Sequence, residues 1–232
     1  MEPMILVLLP SPLLGPAVWG PVAAGLASRG YEVHTAAAPP TAPRVPNDVL
    51  DHFLSAVPAD RDVILVPHSN AGLYVPALAE QRHVVGAVFV DAALPSGDGD
   101  IPLAPPELLT MLAAKAEADG VLPPWTAWWD ESDVASLFPT PAVRAQIERQ
   151  QLRLPLTYFA AELPVAPGWD TELAGAYLAF GDTYADERAL AAARGWPTAT
   201  LPGSHLHMLV DPATVTQELR ALLEAIGFSG HA

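Results

Sequence analysis

The 232-residue chain has no cysteine, a single lysine (Lys115) and no long apolar run, and each gap closes off a class of function. Without cysteine there is no disulfide, no thiolate nucleophile and no Cys-ligated metal, and cysteine usage gives no clue to the redox compartment. With 11 basic against 26 acidic residues the net charge is −15, so the surface repels nucleic acid and anionic lipid; neither is expected as a partner. No segment approaches the roughly 20 apolar residues of a membrane span. The first residues carry Glu2 and no basic residue, unlike the positive start of a signal peptide, which makes a cytoplasmic location the expectation. What is present is apolar: 51% of the residues are hydrophobic, too many for a disordered chain. The length suits one domain with a substantial core.

Short Val/Ile/Leu-rich runs end in turn residues at "MILVLLP" (4–10), "YEVHTAA" (31–37), "DVILVP" (62–67), "VVGAVFVDA" (84–92), "GAYLAF" (175–180) and "PTATLP" (197–202). Runs of this kind suggest strands buried on both faces of a parallel sheet. Helical stretches lie between them, several starting at Pro or Asp and stopping at Gly. The expectation is a three-layer α/β/α fold with a mostly parallel six-stranded sheet. From about 95 to 170 no convincing central strand occurs. This insertion, with Trp125, Trp128 and Trp129 in a Pro-flanked stretch, reads either as a lid over a ligand site or as extra helices completing the core.

The strongest local signal is "VILVPHSNAGLYVPAL" (63–78): a buried strand, a serine, and a helix directly after. In this context a serine is held out on a sharp turn with its hydroxyl above the sheet. The N–H of Asn70 opens the helix, where partial positive charge favours an oxyanion. The plain alternative is that Ser69 merely caps the helix. Among seven histidines, His205 in "LPGSHLHMLVDP" has the best setting for a base, in the loop between the last strand and the last helix. His207 is the runner-up.

Taken together, "ILVLLPSPLLGPAVWGPVAAGLASRGYEV", "VPHSNAG" and "GSHLHMLVDP" resemble the α/β-hydrolase fold superfamily, in the compact branch of methylesterases and hydroxynitrile lyases. The resemblance implies Ser69 as nucleophile and His205 as base. Its usual place for the acid, three residues after Gly181, holds Tyr184 here, and Asp182 is out of register. A minority arrangement in the family takes the acid from the strand after the nucleophile, which points to Asp91, closing the apolar strand "AVFVDAALP". A buried carboxylate there is costly without a partner. Asp91 is the first candidate and Asp182 the alternative.

With this connectivity the first and third strands are neighbours, and the crevice between them is where ligands bind. Its wall includes the loop "PSPLLG" (10–15), which in the family supplies a second oxyanion donor. Here Pro12 stands in that register and has no N–H to give, leaving the Leu13 N–H or the Ser11 hydroxyl as candidates. Pro67 replaces the glycine common before the serine. Trp19, Tyr74, Trp128 and the rest of the tryptophan cluster are expected on the pocket surface. No cofactor and no metal are expected, the partner is a small molecule, and a monomer and a homodimer both stay open. The implied activity is hydrolysis of an ester, thioester or related carbonyl compound of small apolar or polyketide-like character. Non-hydrolytic chemistry (elimination, lyase, cyclisation, acyl transfer) with the same residues is the alternative, and ligand binding on a disabled hydrolase scaffold comes third.

Overall fold

The computed structural model describes residues 4–97 and 99–229; Glu2 lies outside them. The six apolar runs form β1 (Ile5–Leu9), β2 (Glu32–Thr35), β3 (Val63–Ser69), β4 (Val84–Ala92), β7 (Ala174–Phe180) and β8 (Thr198–Leu201). They join in one sheet of order β2-β1-β3-β4-β7-β8, every pairing parallel. β1, β3 and most of β4 are buried along their length, as their uninterrupted apolar composition requires, whereas the outermost strands β2 and β8 are only partly covered.

Helices α1 (Gly20–Ala27), α2 (Pro46–Ala56) and α3 (Val75–Ala79) follow the first three strands. The step from β1 to β2 runs outward in one direction and the later steps in the other. Right-handed crossovers therefore put α1 on one face and α2 and α3 on the opposite one. The packing agrees: α2 meets α3, and α1 meets the C-terminal α10 (Pro212–Ala225).

Between β4 and β7 the chain forms β5 (Gly99–Pro102), α4 (Pro106–Lys115), α5 (Glu131–Ala135), α6 (Pro141–Glu148), α7 (Leu156–Phe159) and β6 (Glu162–Val165). The antiparallel pair β5–β6 was not legible as strands, being four residues each and partly polar, and it stays outside the main sheet. It ties the two ends of the insertion together beside the sheet. After β7 come α8 (Ala185–Ala193), β8, and the short α9 (His207–Val210).

The helix expected after Ser69 is split into a 3-10 turn (Asn70–Tyr74) and the α-helical α3. Pro76 has no N–H to return to the preceding turn, which explains the tightening. The turn nevertheless seats closely on β4: a Cβ at Gly72 would lie 2.0 Å from the Ala93 carbonyl oxygen, so only glycine fits. Pro67 sits opposite Leu9 in the sheet, so the central strand loses one ladder donor immediately before the turn.

Candidate active site

Among the described residues only two non-glycines have positive φ, Ser69 at 57° and Asp91 at 41°. Such backbone costs about 1–3 kcal/mol per residue and persists only where the surroundings enforce it. Both lie at the C-terminal ends of neighbouring strands, β3 and β4, next to a register shift between His68 and Ser69. The turn lifts Ser69 to the edge of the sheet, and its side chain makes no capping bond to the turn that follows.

Asp91 is fully buried, and both carboxylate oxygens are engaged. Oδ1 accepts the Phe180 N–H at 2.9 Å, and Oδ2 lies 2.7 Å from His205 Nδ1. Beside a carboxylate Nδ1 carries the proton, which leaves Nε2 as the bare acceptor of the neutral ring. The next residue is held as well: Tyr177 Oη accepts the Ala92 N–H at 3.0 Å and donates to the Ala92 carbonyl at 2.6 Å.

His68 fixes the other end of His205. Its ring stacks on the imidazole at 4.5 Å between centroids, and Nε2–H donates to the His205 carbonyl at 2.9 Å. Burial, and then the cost of a second charge beside the His205 ring, keep the His68 ring well below the ordinary histidine value, so it stays neutral. Its Nδ1 is buried without a partner among the described residues.

Ser69 and His205 line the same cavity, of about 480 Å³. Its walls are largely apolar and aromatic, including Leu73, Leu103, Trp125, Trp128, Val134 and Phe159. The ionisable carboxylates on them are Asp133 and Glu187, with no lysine or arginine. Burial, followed by the charges of Asp186 and Asp91, holds the Glu187 carboxyl above its usual range. The Trp125 ring stands 5.9 Å from that of His205.

The hydrogen-bond partner of Ser69 Oγ is Tyr184 Oη, at 3.3 Å. Tyr184 lines the cavity, its ring 5.7 Å from the His205 ring. Burial pushes its phenol well above the ordinary tyrosine value, so it is an O–H donor throughout the working range. In the sequence Tyr184 stands out only as a departure from the expected acid position, and its place three residues after Gly181 is the signal that marks it.

Other expected site residues lie elsewhere. Asp182 is 89% exposed and faces Arg188 at 3.7 Å, away from His205. His207 packs against Phe180 and does not line the cavity. Trp19 is fully buried with its ring edge-on to His68 and does not line the cavity. Tyr74 is also fully buried; it donates to Tyr158 Oη at 2.6 Å, which in turn donates to Asn70 Oδ1 at 3.2 Å. Tyr74 thus supports the elbow from beneath.

Ser11 borders only a small void of about 10 Å³ and is 1% exposed. Leu13 does line the cavity, but its N–H is directed at Ser11 Oγ at 3.3 Å. Asn70 opens the 3-10 turn, where an N–H has no partner within the turn itself. Among the described residues no group of three or more His, Asp or Glu could hold a metal ion, and no helix is long and apolar enough to cross a membrane.

No family model and no curated protein matches the chain. Solved structures do. An extracellular α/β-hydrolase from a Paenibacillus species, described as sharing structural and functional homology with tobacco salicylic acid binding protein 2, superposes with a TM-score of 0.73 at 15% identity, covering 95% of this chain and 99% of that one. Polyneuridine aldehyde esterase gives 0.68 at 16% identity, over 97% and 99% of the two chains. Tomato methylketone synthase I, in complex with 2-tridecanone, gives 0.69 at 15% identity, over 97% and 100%. These likenesses run across nearly the whole chain and establish the α/β-hydrolase fold.

Proposed function

We propose that the chain is a serine-dependent hydrolase of esters, thioesters or related carbonyl compounds, working through Ser69, His205 and Asp91. The observation that carries this reading is the 2.7 Å pair between a fully buried Asp91 and His205, at a cavity shared with a serine of enforced backbone geometry. In the reaction His205 Nε2 takes the proton of Ser69 Oγ as the oxygen attacks the carbonyl carbon. Asp91 orients the ring and stabilises the imidazolium that forms. The Asn70 N–H steadies the oxyanion. The imidazolium returns the proton to the leaving oxygen or sulfur, and water later releases the acyl group by the same steps in reverse. The Ser69–Tyr184 bond belongs to the resting site, and catalysis requires the hydroxyl to turn toward His205.

The wall supports the substrate class. Its tryptophans and leucines suit a small apolar or polyketide-like acyl chain, and about 480 Å³ is within the range of small-molecule sites. A substrate carboxylate or phosphate would meet Asp133 and Glu187 without a cation, and is disfavoured. In this reading residues 95–170 are a cap, since Leu103, Leu108, Trp128 and Phe159 from that stretch cover the reacting groups.

One observation favours the non-hydrolytic alternative. The N–H groups of Leu13, Leu14 and Gly15 are all directed at Ser11, so the loop after β1 presents a weak second oxyanion donor. Elimination or lyase chemistry needs the base more than the oxyanion site. A panel of short- and medium-chain p-nitrophenyl esters separates the two. The hydrolase reading expects turnover that falls by about 10⁴-fold or more in Ser69→Ala. Activity on the natural substrate class that survives Ser69→Ala, with silence across the panel, supports the alternative.

A further inference from the structure

The sheet order divides the surroundings of Ser69. Leu13 comes from the β1 side, while Asp91, Tyr184 and His205 come from the ends of β4, β7 and β8 on the other. Leu13, on the β1 side, therefore lies across Ser69 from Tyr184. The Tyr184 hydroxyl stands with the imidazole, where the departing oxygen of a substrate must lie to receive a proton from His205. It is 3.3 Å from the attacking oxygen, with no hydrogen-bond partner among the described residues other than Ser69.

We propose that Tyr184 is a catalytic hydrogen-bond donor to the leaving-group oxygen, and that the site is thereby suited to esters of unactivated alcohols. The assignment rests on the serine-hydrolase reading. As the tetrahedral intermediate collapses, the bond from carbon to the leaving oxygen breaks, and that oxygen takes both electrons. The His205 imidazolium transfers its proton to it while the Tyr184 O–H donates a hydrogen bond and keeps its own proton. The products of this half are a neutral alcohol, neutral His205 and acyl-Ser69. Charge on the leaving oxygen is greatest for an alkoxide and small for a stabilised phenolate, so the donor matters most where the alcohol is a poor leaving group. Burial keeps the phenol protonated, which suits a donor and excludes it as a second acid.

The test compares an alkyl ester with the p-nitrophenyl ester of the same acid, so that both share one acyl-enzyme and kcat/KM reports acylation. Tyr184→Phe is expected to lower kcat/KM for the alkyl ester by about 10- to 100-fold, the worth of a hydrogen bond to a developing charge. The p-nitrophenyl ester should change little. Incorporating 3-fluorotyrosine at position 184 keeps the shape and strengthens the donor, and should narrow the gap between the two esters. This second arm decides the matter should Tyr184→Phe fail to fold. Equal losses on both esters overturn the assignment, because a donor to the oxyanion or a purely structural tyrosine acts on both alike. An unchanged ratio in both variants overturns it too. Absence of Ser69-dependent turnover in the unsubstituted protein overturns the hydrolase reading itself, and is seen before any change at position 184.

Discussion

On the β1 side of Ser69, the loop 10–15 satisfies its own polar groups: Leu13, Leu14 and Gly15 all donate to Ser11. On the other side, Asp91, His205 and Tyr184 form a chain of contacts that ends on Ser69 and the cavity. The same sheet edge thus carries one wall that is self-contained and one that is directed at a ligand. The difference teaches where the chemical power of the site lies. Imidazole orientation is built, with Asp91 on His205 Nδ1, whereas Ser69 Oγ rests on Tyr184; in the proposed mechanism oxyanion stabilisation depends mainly on the elbow residue Asn70. The two walls are restrained by different means, one by prolines that fix φ and the other by buried hydrogen bonds.

The largest expected effect comes from dismantling the directed wall. Asp91→Asn keeps the shape but no longer fixes the proton on Nδ1 of His205, and kcat for a serine-dependent ester should drop by about 10⁴-fold. Asp182→Asn, at an exposed residue facing Arg188, should leave kcat unchanged in the same assay. Similar losses in both would return the question of the acid to the β7 loop.

A smaller effect concerns what holds that wall. The folded-state pKa of His68 lies below the ordinary 6.5, so below that pH the unfolded chain takes up the proton and the folded chain resists it. The contribution of His68 to stability is complete above about pH 6.5. It declines as the pH falls, by about 1.4 kcal/mol per pH unit until the folded group titrates. Urea unfolding between pH 7 and 5 should show this slope, and His68→Phe should flatten it. An equal slope in the variant would mean that other groups dominate.

The smallest effect comes from opening the self-contained wall. Ser11→Ala removes the acceptor of the Leu13 N–H and frees that donor for the oxyanion. A 3.3 Å bond of this kind is worth little, so kcat should rise by about 2- to 10-fold. A fall instead would show that the Ser11 hydroxyl orders the loop more than it diverts the donor.

Legibility in the sequence followed the same division. The inner sheet strands were readable because apolar runs buried on both faces leave no other option, and the partly covered β2 and β8 because they fall in step with the strand–helix alternation. The sharp turn at Ser69 was readable because a buried strand runs straight into the serine and the turn after it. Asp91 was readable because an aspartate closing an apolar strand needs a partner, which turned out to be His205. The rest depended on which way single side chains face. Trp19 and Tyr74 are expected on the pocket surface, yet the turns carrying them direct both rings into the core, onto His68 and Tyr158. Tyr184 read as a missing aspartate because the approach of its hydroxyl to Ser69 depends on the path of residues 181–184, where Gly181 takes a φ of 69°. The β5–β6 pair escaped notice because four-residue, partly polar strands carry too little periodicity to be seen.

The most direct measurement is the intact mass of the protein after exposure to a fluorophosphonate, followed by peptide mapping, with His205→Ala run alongside. A single adduct on Ser69, formed rapidly in the unsubstituted protein and lost in His205→Ala, is the predicted result. No adduct, or one whose rate is indifferent to His205, would contradict an activated serine at this site.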